Sequence, residues 1–108
     1  MIRFTVWKTA HHYKGFQSSG QAEYGDGEYD LVCCGVSALA INTVNSVESF
    51  TEDVFELEQS QDGGYLKLYF PGSVSERTDL LMDSLVLGIR NIRDEYGEEY
   101  ITLRIEEV

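Results

Sequence analysis

Apolar and polar residues alternate at the start of the chain, where Arg3 and Thr5 separate Ile2, Phe4 and Val6. A period of two places one set on each face of an extended segment, which reads as a half-buried strand. A second extended piece spans Tyr13–Ser19, and the two form a hairpin through His11 and His12. Gly20–Tyr29 follows as a loop holding Gly20, Gly25 and Gly27 and the acids Glu23, Asp26 and Glu28. There the period changes. Val32, Val36, Leu39, Thr43, Val47 and Phe50 recur at steps of three and four, one stripe of an α-helix. Asp30 stands where an N-cap belongs, its carboxylate suited to the unpaired amides of the first turn.

Alternation returns at Phe55–Glu58 and at Leu66–Phe70, with Asp62-Gly63-Gly64 between them as a hairpin turn. Pro71-Gly72 ends that strand, and Ser73-Val74-Ser75-Glu76 has the capping-box form that opens a helix. Leu81, Leu85, Gly88, Ile92 and Tyr96 supply its stripe, and Gly97 suits the residue just past its end. Ile101, Leu103 and Ile105 alternate last. The order β-β-α-β-β-α-β predicts an α+β fold: a mainly antiparallel sheet with two helices packed on its faces. Residues 1–108 are expected to form a single domain, a usual length for one.

Composition excludes several functions. With 8 Lys+Arg against 19 Asp+Glu the net charge is −11, which repels a phosphate backbone and argues against direct nucleic-acid binding. The excess is spread, −4 over residues 1–54 and −7 over 55–108, so it either keeps the chain soluble or draws basic polypeptides. No apolar run approaches the roughly 20 residues of a membrane span, and Met1–Ala10 lacks a signal-peptide pattern. A cytoplasmic protein without a membrane partner is expected. The two cysteines, Cys33 and Cys34, are adjacent; a bond between neighbours strains the peptide, so both read as free thiols.

If Asp30 caps the helix, Cys33 lies in its first turn, among unpaired N–H groups and the positive end of the dipole. That position favours the nucleophilic thiolate; the plainer alternative is a small buried hydrophobe. Cys34, about 100° further round, reads as packing. His11 and His12 point to opposite faces of an extended segment, so at most one reaches Cys33. The spacings match no zinc motif, and neither metal nor cofactor is expected. The glycine loop lacks the Gly-Lys-Ser/Thr of a phosphate cradle and instead suits a substrate-binding lid. Tyr13, Tyr24, Tyr29, Tyr65 and Tyr69 either line a groove or cover the sheet.

Gly20-Gln21-Ala22, Asp30-Leu31-Val32-Cys33-Cys34-Gly35-Val36-Ser37-Ala38-Leu39, Asn42, Asn45-Ser46-Val47-Glu48 and Gly63-Gly64-Tyr65-Leu66 together resemble the ribosomal-processing cysteine protease Prp family. The resemblance covers nearly the whole chain. It implies a small, often homodimeric α+β protease that removes a short N-terminal extension from large-subunit ribosomal protein twenty-seven. It further implies that Cys33 is the nucleophile, with Asp30 and Ser37 in the same motif; in this reading Asp30 is a catalytic residue that caps the helix or orients the base, and Gly20, Ala22 and Ser37 bind the peptide. A basic ribosomal precursor also suits the acidic charge.

One position departs from the pattern. The family's Gly-His-Ala places a histidine base twelve residues before the cysteine, and this chain has Gln21 there. Glutamine has no titratable nitrogen and cannot accept the thiol proton, though it can orient a carbonyl. Three accounts are open: a form that keeps the groove without turnover, substitution by His11 or His12, or a thiol made acidic by helix position alone.

Overall fold

The computed structural model describes residues 1–20 and 27–108. The element order is β1 (Ile2–Lys8), β2 (Tyr13–Ser19), α1 (Gly27–Phe50), β3 (Glu56–Gln59), β4 (Tyr65–Tyr69), α2 (Glu76–Tyr96) and β5 (Ile101–Glu107). The five strands form one sheet in the order β3-β4-β2-β1-β5. Neighbours pair antiparallel except β1 and β5, which run parallel. The fold is therefore α+β, with the expected order of strands and helices.

Register explains the layering. Val6 pairs with Phe16, Phe16 with Leu68, and Ile2 with Ile101, so these apolar side chains share one face. Phe4 and Phe16 stack on it with centroids 5.3 Å apart. Both helices cover this same face, since their buried residues join these strands in one cluster. The opposite face carries Arg3, Trp7, Gln17, Lys67, Tyr69 and Arg104, and among the described residues no helix lies over it. Its aromatics are shielded by lysines: the Lys67 ammonium lies 5.5 Å from the Trp7 ring and Lys14 lies 5.4 Å from Tyr69.

The helix stripes are broader than their periods suggest. In α1, Tyr29, Ala40 and Val44 are buried beside Val32, Val36, Thr43 and Val47, whereas Phe50 is 64% exposed. In α2 the buried set is Thr78, Met82, Leu85, Val86 and Ile89, and only Leu85 was on the expected stripe. Each helix meets two neighbours, the sheet and the other helix. Gly88 and Ile92 belong to the helix–helix seam: a Cβ at 88 would lie 2.7 Å from Leu39 Cδ1, and one at Gly35 3.3 Å from Ile92 Cδ1. By length and composition α1 is also long and apolar enough to cross a membrane, although its apolar residues form no unbroken run. Here its apolar side is part of the core, as for an ordinary buried helix.

The cap of α2 is Ser75, whose side chain accepts from the Thr78 amide, and not Ser73 of the expected capping box. Asp53 explains the choice. Its Oδ2 accepts from the Ser75 amide at 2.9 Å and hydroxyl at 2.6 Å, and from the Thr78 hydroxyl, tying the segment after α1 to the start of α2. Burial opposes charge on Asp53, but the Ser75 and Thr78 hydrogen bonds prevail and hold its carboxyl below the usual range. The stability this supplies is complete above the unfolded-state value and is lost as pH falls through the lower folded one. Asp53→Ala is expected to cost about 2 kcal/mol at pH 7. In urea titrations from pH 6 to pH 2.5, the deficit should shrink as acid protonates Asp53 in the parent.

Candidate active site

An open groove of about 680 Å³ runs between α1 and the adjoining ends of β2 and β4. Asp30, Cys33, Cys34, Ser37 and Ile41 line it from α1, Ser18 and Gly20 from the end of β2, and Gln59 and Asp62–Leu66 from the β3–β4 hairpin. Asp30 to Ile41 spans about 16 Å of helix at 1.5 Å per residue. That matches about five residues of extended peptide.

Local sequence builds both walls. In the hairpin, Asp62 Oδ1 accepts from Ser60 Oγ at 2.7 Å and from the Gly64 amide at 2.9 Å, while Gly63 takes φ +79°. The Gly20 amide donates to Gly64 O at 3.0 Å, fastening the end of β2 to this turn. Gly20 itself has φ +130°, and a Cβ there would lie 2.5 Å from Met1 O, so the neck of the groove admits only glycine.

The structure places the expected residues unevenly. Gly20, Asp30, Cys33 and Ser37 meet at the groove. Gln21, Ala22 and Tyr24 lie outside the described residues. Asp30 is not the N-cap: the helix is already formed at Gly27, so Asp30 lies within α1 and Cys33 about two turns in. The orphan amides of a first turn therefore do not surround the thiol. Its electrostatics point the other way from that expectation, since burial, joined by the Asp30 carboxylate, pushes the Cys33 thiol up. Asp30 Oδ1 is buried and has no hydrogen-bond partner among the described residues. The two cysteines also exchange roles in packing: Cys33 packs partly against the core and Cys34 is exposed.

The histidines stand elsewhere. His11 and His12 occupy the turn between β1 and β2, whereas Ile2 and Gly20, at the other end of this hairpin, line the groove. Seven residues of β1 separate the two ends, about 20 Å. His12 is engaged there, its Nδ1 2.6 Å from Asp79 Oδ2, while the Tyr13 amide donates to Asp79 Oδ1 at 3.0 Å. The Tyr13 hydroxyl donates to Asp83 at 2.6 Å, and burial, with Asp83 beside it, pushes its pKa well above the ordinary value. This cluster clamps the hairpin turn to α2, and neither histidine substitutes as a base at Cys33.

Of the tyrosines, Tyr13 and Tyr29 are core residues, Tyr65 lines the groove and Tyr69 covers the open sheet face. Ile41, Gln59 and Asp62 were not singled out from the sequence as site residues. The Asp-Gly-Gly turn was a visible signal, but only the sheet order brings it opposite Cys33.

Comparison with known proteins identifies the family. The family described as cysteine protease Prp matches residues 1–102. The ribosomal processing cysteine protease Prp of Bacillus subtilis (strain 168) is 30% identical over 105 residues, covering 91% of this chain and 92% of that protein. Its counterpart from Staphylococcus aureus (strain Mu50) is 24% identical over 79 residues, 73% of this chain and 74% of the relative. Among solved structures, a Streptococcus mutans protein superposes with TM-score 0.89 at 28% identity, over 100% of this chain and 96% of that one. The S. aureus ribosomal processing protease Prp, solved with a covalently linked product peptide, superposes with TM-score 0.87 at 21% identity, over 98% and 100% of the two chains. By family match, curated relatives and fold alike, this chain belongs to the Prp family of cysteine proteases.

Proposed function

We propose that this chain is a ribosomal-processing endopeptidase that removes the N-terminal extension of the precursor of large-subunit ribosomal protein twenty-seven. The observation that carries the reading is Cys33 on the helical wall of a peptide-length groove, opposite the β3–β4 hairpin. Cys33 Sγ attacks the scissile carbonyl, the amine leaves with a proton as the thioester forms, and water releases the acid. Gly20, Ala22 and Ser37 hold the peptide backbone, and Gln21 orients a carbonyl where the family has its base. Asp30 adds negative charge beside the thiol, and with Asp62 it makes the groove attractive to a basic peptide. The relatives named as ribosomal processing proteases support this substrate class. In this reading the protein works in the cytoplasm as a homodimer, and neither nucleic acid nor membrane is a partner.

Gln21 favours a second reading, a module that binds the extension without cleaving it. Incubation with a synthetic precursor extension, followed by mass spectrometry, separates the two. The parent is expected to cleave slowly and Gln21→His to cleave at least tenfold faster, since a positioned base contributes about 10²–10⁴. Binding by calorimetry with no cleavage by either form would establish the module, and neither binding nor cleavage would overturn both.

A further inference from the structure

Strand pairing orders the open face of the sheet into rows that run from β5 to β3. One row holds Glu106, Trp7, Tyr69 and Glu56, and the next holds Arg104, Lys67 and Glu58. Arg3 and Tyr65 stand in a third, and Lys14 reaches over Tyr69. Four of the 8 Lys+Arg in the chain are thus on this face, against three of the 19 Asp+Glu. Among the described residues the acidic excess therefore lies elsewhere. Two chains of charge −11 repel each other over most of their surfaces, but not here.

The apolar content of the face is also unusual. It carries the single tryptophan of the chain, Trp7, together with Tyr65 and Tyr69, all three half-buried with no helix to cover them. Tryptophan, tyrosine and arginine are the residues that carry most binding energy at protein interfaces. Five strands about 4.8 Å apart and three rows about 7 Å apart cover roughly 24 by 20 Å. That is on the order of the ~800 Å² each partner buries in a standard interface.

We infer that a second copy of this chain docks on the open face, sheet against sheet, about a two-fold axis parallel to β2. The inference rests on the homodimer proposed above and names its surface. Charge selects the axis. An axis across the strands would set β3 on β3 and β5 on β5, so that Glu58 meets Glu58 and Arg104 meets Arg104. An axis along the strands sets β3 on β5, and Glu58 then faces the partner's Arg104 on both sides of the dimer. Nearer the axis, Trp7 faces the partner's Tyr69 and Tyr65 faces the partner's Arg3, a ring–ring and a cation–ring pair.

One like-charge pair remains, Glu56 with the partner's Glu106. It falls on the rim, and Arg104 Nε, 3.2 Å from Glu106 Oε1, offsets it. Aligned sheets pack in this way about 10 Å apart at roughly 30°. The groove that holds Cys33 lies on the helix side of each sheet, so both grooves stay open to peptide.

Sedimentation velocity from about 1 to 100 µM tests the pairing. The parent is expected to sediment as a dimer. Arg104→Glu and Glu58→Lys each bring like charges together at two places and should weaken the dimer at least tenfold. Mixed together, the two variants should pair again, because each supplies the charge the other lacks. Recovery on mixing also shows that both are folded. Trp7→Ala should weaken the dimer by a similar factor, and in the parent the Trp7 fluorescence should shift to the red on dilution. Leu87→Glu, at a 60% exposed position of α2 on the helix side, should change nothing. Loss of pairing in both charge variants without recovery on mixing would overturn the two-fold arrangement. A dimer untouched by the sheet variants, or one broken by Leu87→Glu, would overturn this surface and leave the homodimer standing. A parent that is monomeric at 100 µM would overturn both.

Discussion

Cys33→Ala is expected to reduce cleavage of the precursor extension by about a thousandfold or more, to the background of the assay. The substitution removes only a sulfur atom from a half-buried position inside α1, so the groove and its affinity for peptide should persist. Cys34 lies at the same groove but is rotated about 100° along the helix from Cys33 and is one residue off the family's nucleophile position. Cys34→Ser is therefore the matched control and should retain cleavage. The pH dependence follows from the sign of the shift at Cys33. Burial and Asp30 raise the thiol, so the thiolate fraction is small at neutral pH and grows about tenfold per unit until the raised value is reached. Single-turnover cleavage by the parent should climb steadily between pH 6 and pH 9. Cleavage that survives in Cys33→Ala, or a rate flat across that range, would remove Cys33 from the role of nucleophile.

Gly15→Ala is expected to destabilise the fold by about 3–5 kcal/mol, combining backbone strain with a clash that side-chain motion cannot relieve. Gly15 lies in β2, between Trp7 of β1 and Tyr69 of β4. Its φ is +145°, and a Cβ there would lie 2.1 Å from the backbone oxygen of Leu68. Relief requires β2 and β4 to part, and Leu68 and Phe16 are core residues of those two strands. The groove would be affected too, because the same strands carry Gly20 and the Asp62–Tyr65 turn at their far ends. Gly72→Ala provides the comparison, since a Cβ there meets nothing within 4 Å. Urea unfolding should show a large fall in midpoint for Gly15→Ala and almost none for Gly72→Ala.

Much of this arrangement is local and was legible in the chain. The period-two run Ile2-Phe4-Val6 shows β1 and its buried side, and Tyr13–Ser19 gives β2 with its observed bounds. Asp62-Gly63-Gly64 is a turn because Gly63 needs positive φ and Asp62 bonds the amide two residues on. Gly97 closes α2 with its amide on Arg93 O. The block from Asp30 to Ser37 marks the thiol and its family before any coordinate is known, because the motif lies within one continuous stretch of helix.

What escaped the sequence is what depends on partners distant along it. Asp30 resembled a cap, yet whether a side chain caps a helix depends on where the helix begins, and α1 is formed by Gly27. Ser75 displaced Ser73 as the cap of α2 because Asp53, from beyond the end of α1, bonds Ser75. The expected stripe of α2 was half of its apolar surface, because a single period cannot describe a helix that meets both a sheet and another helix. The acidity of Cys33 was misjudged for the same reason: the dipole argument uses helix position alone, whereas burial and Asp30 act through the folded surroundings. The histidines, close to the thiol in composition, stand at the opposite end of the hairpin. Sequence periodicity thus determined the elements, and one continuous motif pointed to the proposed nucleophile, since both rest on near neighbours in the chain. Tertiary packing alone decided which side chains surround the sulfur, because that depends on how strands and helices distant in the chain are brought together.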